Sequence, residues 1–349
     1  MLSKGALAAI AAALLFGAST PLAKQLLGDV QPWRLASLLY LGSGLGLTLY
    51  AALRAIAGNA SKEAPLRAAD GPWLLGAVAF GGVLGPVLLM YGLRATSAST
   101  GSLLLNLESV LTAAIAWVVL RENVDRRVFL GMCAIVAGGA VLSWAPSHGD
   151  SSVSGMLAIA GACLCWAIDN NLTRAVSGGD PVQVAAIKGW VAGGTNLVLA
   201  TAFGQPWPPL PALGWSALVG FVGYGLSLVL FVRALRDLGA ARTGAYFSTA
   251  PFVGAAIAIA WLGEAPTPAF WFAGGLMAIG VWLHLSERHE HEHAHESMDH
   301  EHGHVHDEHH QHAHDFGWDG VEPHSHPHHH GPMVHSHPHF PDLHHRHGH

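Results

Sequence analysis

Apolar stretches of about 20 residues, parted by short polar breaks, recur from residue 5 to residue 286, each long enough as a helix to span a ~30 Å hydrocarbon core. They fall near 5–27, 32–54, 71–93, 98–120, 127–145, 153–175, 181–203, 211–234, 240–262 and 267–286. In lipid a spanning segment must satisfy its own backbone, and runs this long and this apolar do so as helices. The expected class is therefore an all-α integral membrane protein with ten transmembrane helices. Composition agrees, since 11% of the residues are charged where soluble domains carry roughly 25%.

The ten segments are two copies of five. Residues 5–26 match 155–176 at an offset of 150, with Gly5/Gly155, Leu7/Leu157, Leu14/Leu164, Phe16/Trp166, Leu22/Leu172 and Lys24/Arg174 in register. A second block matches at an offset of 142, including Leu93/Leu235, Arg94/Arg236, Ala98/Ala240, Ala113/Ala255, Leu120/Leu262, Glu122/Glu264 and Gly138/Gly280. Lys4 followed by an Ala-rich run also fits a signal peptide, but a cleaved leader has no reason to recur mid-chain, so the first segment reads as a genuine span.

Five is odd, so two such units must cross the bilayer in opposite senses, as an inverted repeat. Charge tests this independently. Arg54, Lys62 and Arg67 lie in loop 2–3, while the equivalent loop 7–8 has no Lys or Arg. Arg121, Arg126 and Arg127 lie in loop 4–5, against none in loop 9–10, and Arg233, Arg236 and Arg242 in loop 8–9, against Arg94 in loop 3–4. The basic loops are cytoplasmic by the positive-inside rule, which places both termini in the cytoplasm and the protein in the inner (plasma) membrane. Lys24 and Arg34, beside loop 1–2, are exceptions.

Past residue 286 the chain changes character. Residues 1–286 carry 15 Lys/Arg and 11 Asp/Glu, and residues 287–349 carry 2 and 12 together with 24 of the 26 histidines. The expected division is 1–146 and 147–286 for the repeats and 287–349 for a His-rich tail. In the tail His289, His291, His293 and His295 alternate with Glu or Ala, and His300, His302, His304 and His306 repeat that spacing. His-Ser-His-Pro-His occurs twice, with His324, His326 and His328, then His335, His337 and His339. Neutral imidazole is a ligand for Zn²⁺, Ni²⁺, Co²⁺ and Cu²⁺. With little apolar surface, the tail is expected to be disordered without metal and to buffer several ions. A pH-sensitive polyelectrolyte and an expression tag are the alternatives, and the irregular acids and Pro341-Asp342-Leu343 argue against a tag.

The membrane part resembles the EamA family of the drug/metabolite transporter superfamily, over roughly residues 5–286. The resemblance rests on the two five-helix halves and on a Glu closing each fourth helix, in Trp117-Val118-Val119-Leu120-Arg121-Glu122 and Ala260-Trp261-Leu262-Gly263-Glu264. Pro251 stands early in the second of these helices as the family pattern often has it, whereas the first copy has Ser109. The resemblance implies transport of a small solute without naming the cargo.

Glu108 is the most informative candidate, midway along 98–120 in Leu105-Asn106-Leu107-Glu108-Ser109 with no Lys or Arg nearby in sequence. A midplane carboxylate is unfavourable by several kcal/mol unless it faces a cavity, pairs or protonates. It reads as a cation ligand or proton-coupling group, or else as a structural carboxyl. Asp169-Asn170-Asn171, equivalent to Ser19-Thr20-Pro21, interrupts an apolar run where inverted-repeat transporters place broken helices and substrate sites. Lys188 can pair with Glu108 or Asp169, bind an anionic group, or snorkel to the interface. Asn106 adds an oxygen donor, and Trp166, Trp190, Tyr224 and Tyr246 line a cavity or anchor helices at the interface.

These features point to a secondary transporter, an exporter or exchanger of a small solute, with a metal-binding tail. A Ni/Co/Zn efflux transporter fed by the tail, and a membrane-bound metal store or sensor, are the competing readings. No HExxH or Ser–His arrangement suggests an enzyme, and no cofactor is required. The expected partners are the bilayer, a small-molecule or ion substrate and transition-metal ions, without nucleic acid. A homodimer is left open.

Overall fold

The computed structural model describes residues 3–58, 63–64, 66–119, 126–144 and 152–286, without the side chains of 239–242, and the backbone alone of 290–295, 298–304, 324–330 and 333–338. The helical segments are α1 (Lys4–Leu26), α2 (Pro32–Ile56), α3 (Ala68–Arg94), α4 (Ala98–Val118), α5 (Arg126–Trp144), α6 (Val153–Val176), α7 (Pro181–Ala202), α8 (Leu210–Leu238), α9 (Thr243–Leu262) and α10 (Pro268–Leu285). Local chemistry fixes their starts. The hydroxyls of Ser3, Ser97, Ser152 and Thr267 and the Asp180 carboxylate each accept a first-turn N–H, and Pro32, Pro181 and Pro268 occupy the first turn, where no N–H is needed.

Nine helices among the described residues are long and apolar enough to cross a membrane. The departure from the ten expected is α7. It has 22 residues, but Lys188 and Asn196 dilute its hydropathy, and both are fully buried inside the protein.

Each helix of one half packs on a helix of the other: α1 on α8 and α9, α2 on α7, α3 and α4 on α6, and α5 on α10. Glycines permit the closest crossings. A Cβ on Gly189 would lie 2.4 Å from the backbone N of Gly44, and one on Gly220 would lie 2.0 Å from the carbonyl O of Leu39. The connections gather at two ends. At the end of loops 1–2, 3–4, 5–6, 7–8 and 9–10, Lys24 Nζ donates to Leu93 O (2.7 Å), Arg94 to Gln31 (2.6 Å) and Arg34 to Gln205 O (2.6 Å). At the other end, Arg236 pairs with Glu63 (2.7 Å) and Leu66 N donates to Gln183 (2.9 Å).

The helix breaks also repeat. In α3 residues Val78–Leu84 are π-helical, and in α8 so are Gly220–Leu226, at the offset of 142. α4 breaks at Leu105–Asn106 and α9 at Ser248–Thr249, again near that offset. Sequence had pointed instead to α1 and α6 as the interrupted helices, yet both run through Ser19–Pro21 and Asp169–Asn171. Their polar side chains bond along their own helix, Ser19 Oγ to Phe16 O (2.6 Å) and Asn171 Nδ2 to Ala167 O (2.8 Å), so the backbone ladder need not open.

In the tail the described backbone forms β1 (Glu290–His295), β2 (Met298–His304), β3 (His324–His330) and β4 (Met333–Pro338), with β1 antiparallel to β4 and β2 antiparallel to β3; the rest of 287–349 lies outside the described residues. The alternation of His with other residues has the period of a strand.

Candidate functional site

Between the halves lies a cleft of ≈ 500 Å³, its open mouth included, bordered by α1, α2, α4, α6, α7, α8 and α9. A narrower adjoining space shares Phe16, Glu108, Asn170, Phe231 and Phe247 with it and continues past Thr112, Gly244 and Ser248, toward the end of loops 4–5 and 8–9.

One wall is aromatic. The Phe16 ring lies 5.6 Å from Trp166, 5.8 Å from Tyr224 and 5.4 Å from Phe247, and Tyr40 lies 5.5 Å from Tyr224. The α3 π-helical stretch anchors this wall. A π turn releases backbone carbonyls from the regular ladder, and here Gly81 O accepts from Tyr40 Oη (2.7 Å) and Trp166 Nε1 (3.0 Å), while Gly82 O accepts from Asn196 Nδ2 (3.0 Å).

The opposite chemistry comes from α4, α6 and α7. Lys188 Nζ donates to both Asp169 oxygens (2.7 and 2.8 Å) and to Thr173 Oγ1 (3.3 Å), and Thr173 donates to Asp169 Oδ1 (2.8 Å). The side chains of Lys188 and Asp169 are 2% and 9% exposed, so the pair survives burial because each ion meets the other and a hydroxyl. Of the alternatives open to Lys188 in sequence, the structure takes the Asp169 pair. Glu108, midway along α4, accepts from Asn170 Nδ2 (2.8 Å), which also reaches Thr112 Oγ1 (3.4 Å). Its contact is an amide, and among the described residues no lysine or arginine lies within ion-pair reach of it. The Asp169–Lys188 pair is neutral, so Glu108 sets the charge of the cleft.

The structure thus brings together Glu108, Asp169, Asn170, Lys188, Trp166 and Tyr224. It puts the other candidates elsewhere. Asn106 is buried at the α4 break, donating to Leu103 O (3.1 Å), with its Oδ1 unpaired. Tyr246 packs on Ala6, Ala9, Ala234 and Leu238, and Trp190 is 45% exposed and donates to Thr48 (2.9 Å). Sequence reasoning passed over Tyr40, Phe231, Phe247, Thr112 and Thr173, which look like ordinary helix residues until the helices are assembled. Phe16 alone had a signal, its repeat match to Trp166.

Of the fourteen tail histidines singled out as ligands in the sequence, His289, His306 and His339 lie outside the described residues, and the other eleven are described as backbone only. Elsewhere among the described residues, no three His, Cys, Asp or Glu gather as a metal site.

Residues 3–144 and 153–286 each match the EamA-like transporter family. The chain belongs to that family. It is a multi-pass membrane protein, and its relatives are named as transporters. An uncharacterized transporter of Methanothermobacter thermautotrophicus is 27% identical over 80% of this chain and 85% of its own length. A probable terminal-alkyne amino-acid exporter of Streptantibioticus cattleyicolor is 27% identical over 56% of this chain and 67% of its own. One solved crystal structure matches with a TM-score of 0.63 over 80% of this chain and 95% of that chain, at 18% identity, a likeness of fold alone.

Proposed function

We propose that this EamA-like protein is a ten-span secondary transporter that exports or exchanges a small solute bearing a positively charged group, with both termini in the cytoplasm of the inner membrane. The observation that carries the reading is Glu108, a carboxylate at the cleft between the halves that has no cationic partner among the described residues. In such a site a carboxylate is stabilised by a bound cation, an organic ammonium or a coupling proton, and the aromatic wall adds cation–π attraction. Carboxylate, amide and aromatic faces suit an organic cation better than a bare Zn²⁺ or Ni²⁺ ion, which favours imidazole or thiolate. The named activity of the Streptantibioticus relative, an amino-acid exporter, fits a cargo with an amino group. On this reading the cleft opens toward the cytoplasm, and the His-rich tail on that side buffers or senses transition metal.

The test is counter-flow of amines and amino acids in proteoliposomes. Glu108→Gln keeps shape and hydrogen bonding but removes the charge. Flux of the cargo is expected to fall roughly tenfold or more, from the ~1.5–3 kcal/mol of a charged hydrogen bond, while deletion of 287–349 leaves flux and folding in place. Unchanged flux in Glu108→Gln makes the carboxyl structural.

A further inference from the structure

One phenol in the cleft is left with nothing to donate to. Tyr224 sits in the π-helical stretch of α8 and is 6% exposed, its ring 5.8 Å from Phe16 and 5.5 Å from Tyr40. Its Oη has no hydrogen-bond partner among the described residues. Ser19 lies beside it but outside hydrogen-bonding geometry, and donates to Phe16 O (2.6 Å). Every other side-chain donor lining the cleft is already engaged. Tyr40 and Trp166 donate to Gly81 O, Asn170 to Glu108 and Thr112, Ser227 to Ala12 O (2.9 Å), and Lys188 to Asp169 and Thr173.

A buried hydroxyl without a partner is unfavourable, and native proteins rarely keep one without a use. Helix packing does not demand it here. At the offset of 142 the first half has Gly82, where even a Cβ would come within 2.6 Å of Ala192. The second half instead sends a side chain with a polar tip into the cleft.

The charge of the cleft restricts what that tip can meet. Glu108 supplies one negative charge, which a cargo ammonium neutralises. A carboxylate on the same cargo would be a buried anion whose one unengaged donor is a neutral hydroxyl, and a buried charge without a counter-charge is strongly unfavourable. A carbonyl or hydroxyl oxygen needs no counter-charge, and a phenol O–H satisfies it.

We infer that Tyr224 is a specificity-determining residue of the cleft. It donates to an uncharged oxygen on the cargo, so the preferred solutes are monocations carrying an ammonium and a carbonyl or hydroxyl group rather than zwitterions. This rests on the reading of Glu108 as the ammonium site, and the experiment separates the two. Counter-flow in proteoliposomes is measured for labelled phenethylamine, phenylalaninamide and phenylalanine. These share a shape and carry an ammonium alone, with a carbonyl, and with a carboxylate.

Wild type is expected to move the amide best. Tyr224→Phe should lower flux of the amide roughly tenfold, as loss of a buried hydrogen-bond partner does, and leave flux of the amine unchanged. Its Tm should not fall, because removing an unpaired hydroxyl leaves no other group stranded. An unaltered amide-to-amine ratio in Tyr224→Phe overturns the inference. So does a lower Tm, which would put the partner of the hydroxyl within the protein. Wild type moving the acid better than the amide overturns the uncharged class and makes the second group a carboxylate. Glu108→Gln tests the underlying reading separately and should lower flux of all three probes. Unchanged flux there, or no flux of any probe in wild type, overturns the ammonium site and this inference with it.

Discussion

The two halves of the membrane part share a backbone and differ in chemistry. Their third helices turn π-helical at equivalent positions and their fourth helices break at equivalent positions. Even the contacts correspond. A Cβ on Gly81 of α3 would meet Asp169 of α6, and a Cβ on Gly223 of α8 would meet Ser19 of α1, the repeat counterpart of Asp169. The side chains then diverge. Against Glu108, Asp169, Asn170 and Thr173 in one set of positions stand Ala250, Ser19, Thr20 and Ala23 in the other, and against Lys188 stands Leu39 when the prolines opening α2 and α7 are aligned. Duplicated packing therefore makes the cleft, and the charge in it comes from positions where the copies differ.

The sharpest way to break this comparison is the buried ion pair. Lys188→Met leaves Asp169 buried and unpaired and should lower stability by about 3–5 kcal/mol, read as a drop in Tm in detergent. Leu39→Met, at the counterpart position, should change it by less than about 1.5 kcal/mol. The double variant Asp169→Leu with Lys188→Met should recover most of the loss. Equal effects at 188 and 39 would mean that the pair contributes nothing the second copy lacks.

A smaller effect is expected where the copies correspond most closely. Gly81→Ala sets a methyl 1.8 Å from Asp169 Oδ2, and Gly223→Ala sets one 2.5 Å from Ser19 Cβ. Both should destabilise by about 1–3 kcal/mol through overpacking, Gly81→Ala the more because it also pushes on the ion pair. Thermal melts of the two variants check the order, and a greater loss at Gly223 would contradict the tighter approach at Gly81.

The smallest effect concerns the repeated Glu. Gly263 adopts φ +67° at the end of α9, a left-handed turn that favours glycine. Glu264 then accepts from the N–H groups of Ala98 (2.7 Å) and Ser99 (2.8 Å) at the start of α4, tying one half to the other. Glu264→Ala should remove about 0.5–2 kcal/mol, as loss of a helix cap does. Glu122 lies outside the described residues. If the repeat extends to this contact, Glu122→Ala should show a similar loss, and a neutral Glu122→Ala would mark the cap as another difference between the halves.

Periodicity and repetition by themselves determined the apolar helices and the duplication, because a bilayer admits few solutions for such segments, while the family was shown by the match of both halves to it. Glu108 stood out as a candidate for the same reason, and the structure places it at the cleft, accepting from Asn170. Hydropathy gave no hint that α7 turns its polar residues inward, since Lys188 and Asn196 lower the average whichever way they face. Which of the two candidate carboxylates pairs with Lys188 was equally hidden, being chosen by the approach of α6 to α7 and by the room Gly81 leaves for Asp169. Tyr40, Phe231 and Phe247 were unreadable as cleft residues because each is apolar enough to be core, lipid face or lining. Tertiary structure alone decided these points, because both the pairing of a buried charge and the face that an aromatic ring presents depend on which helices meet.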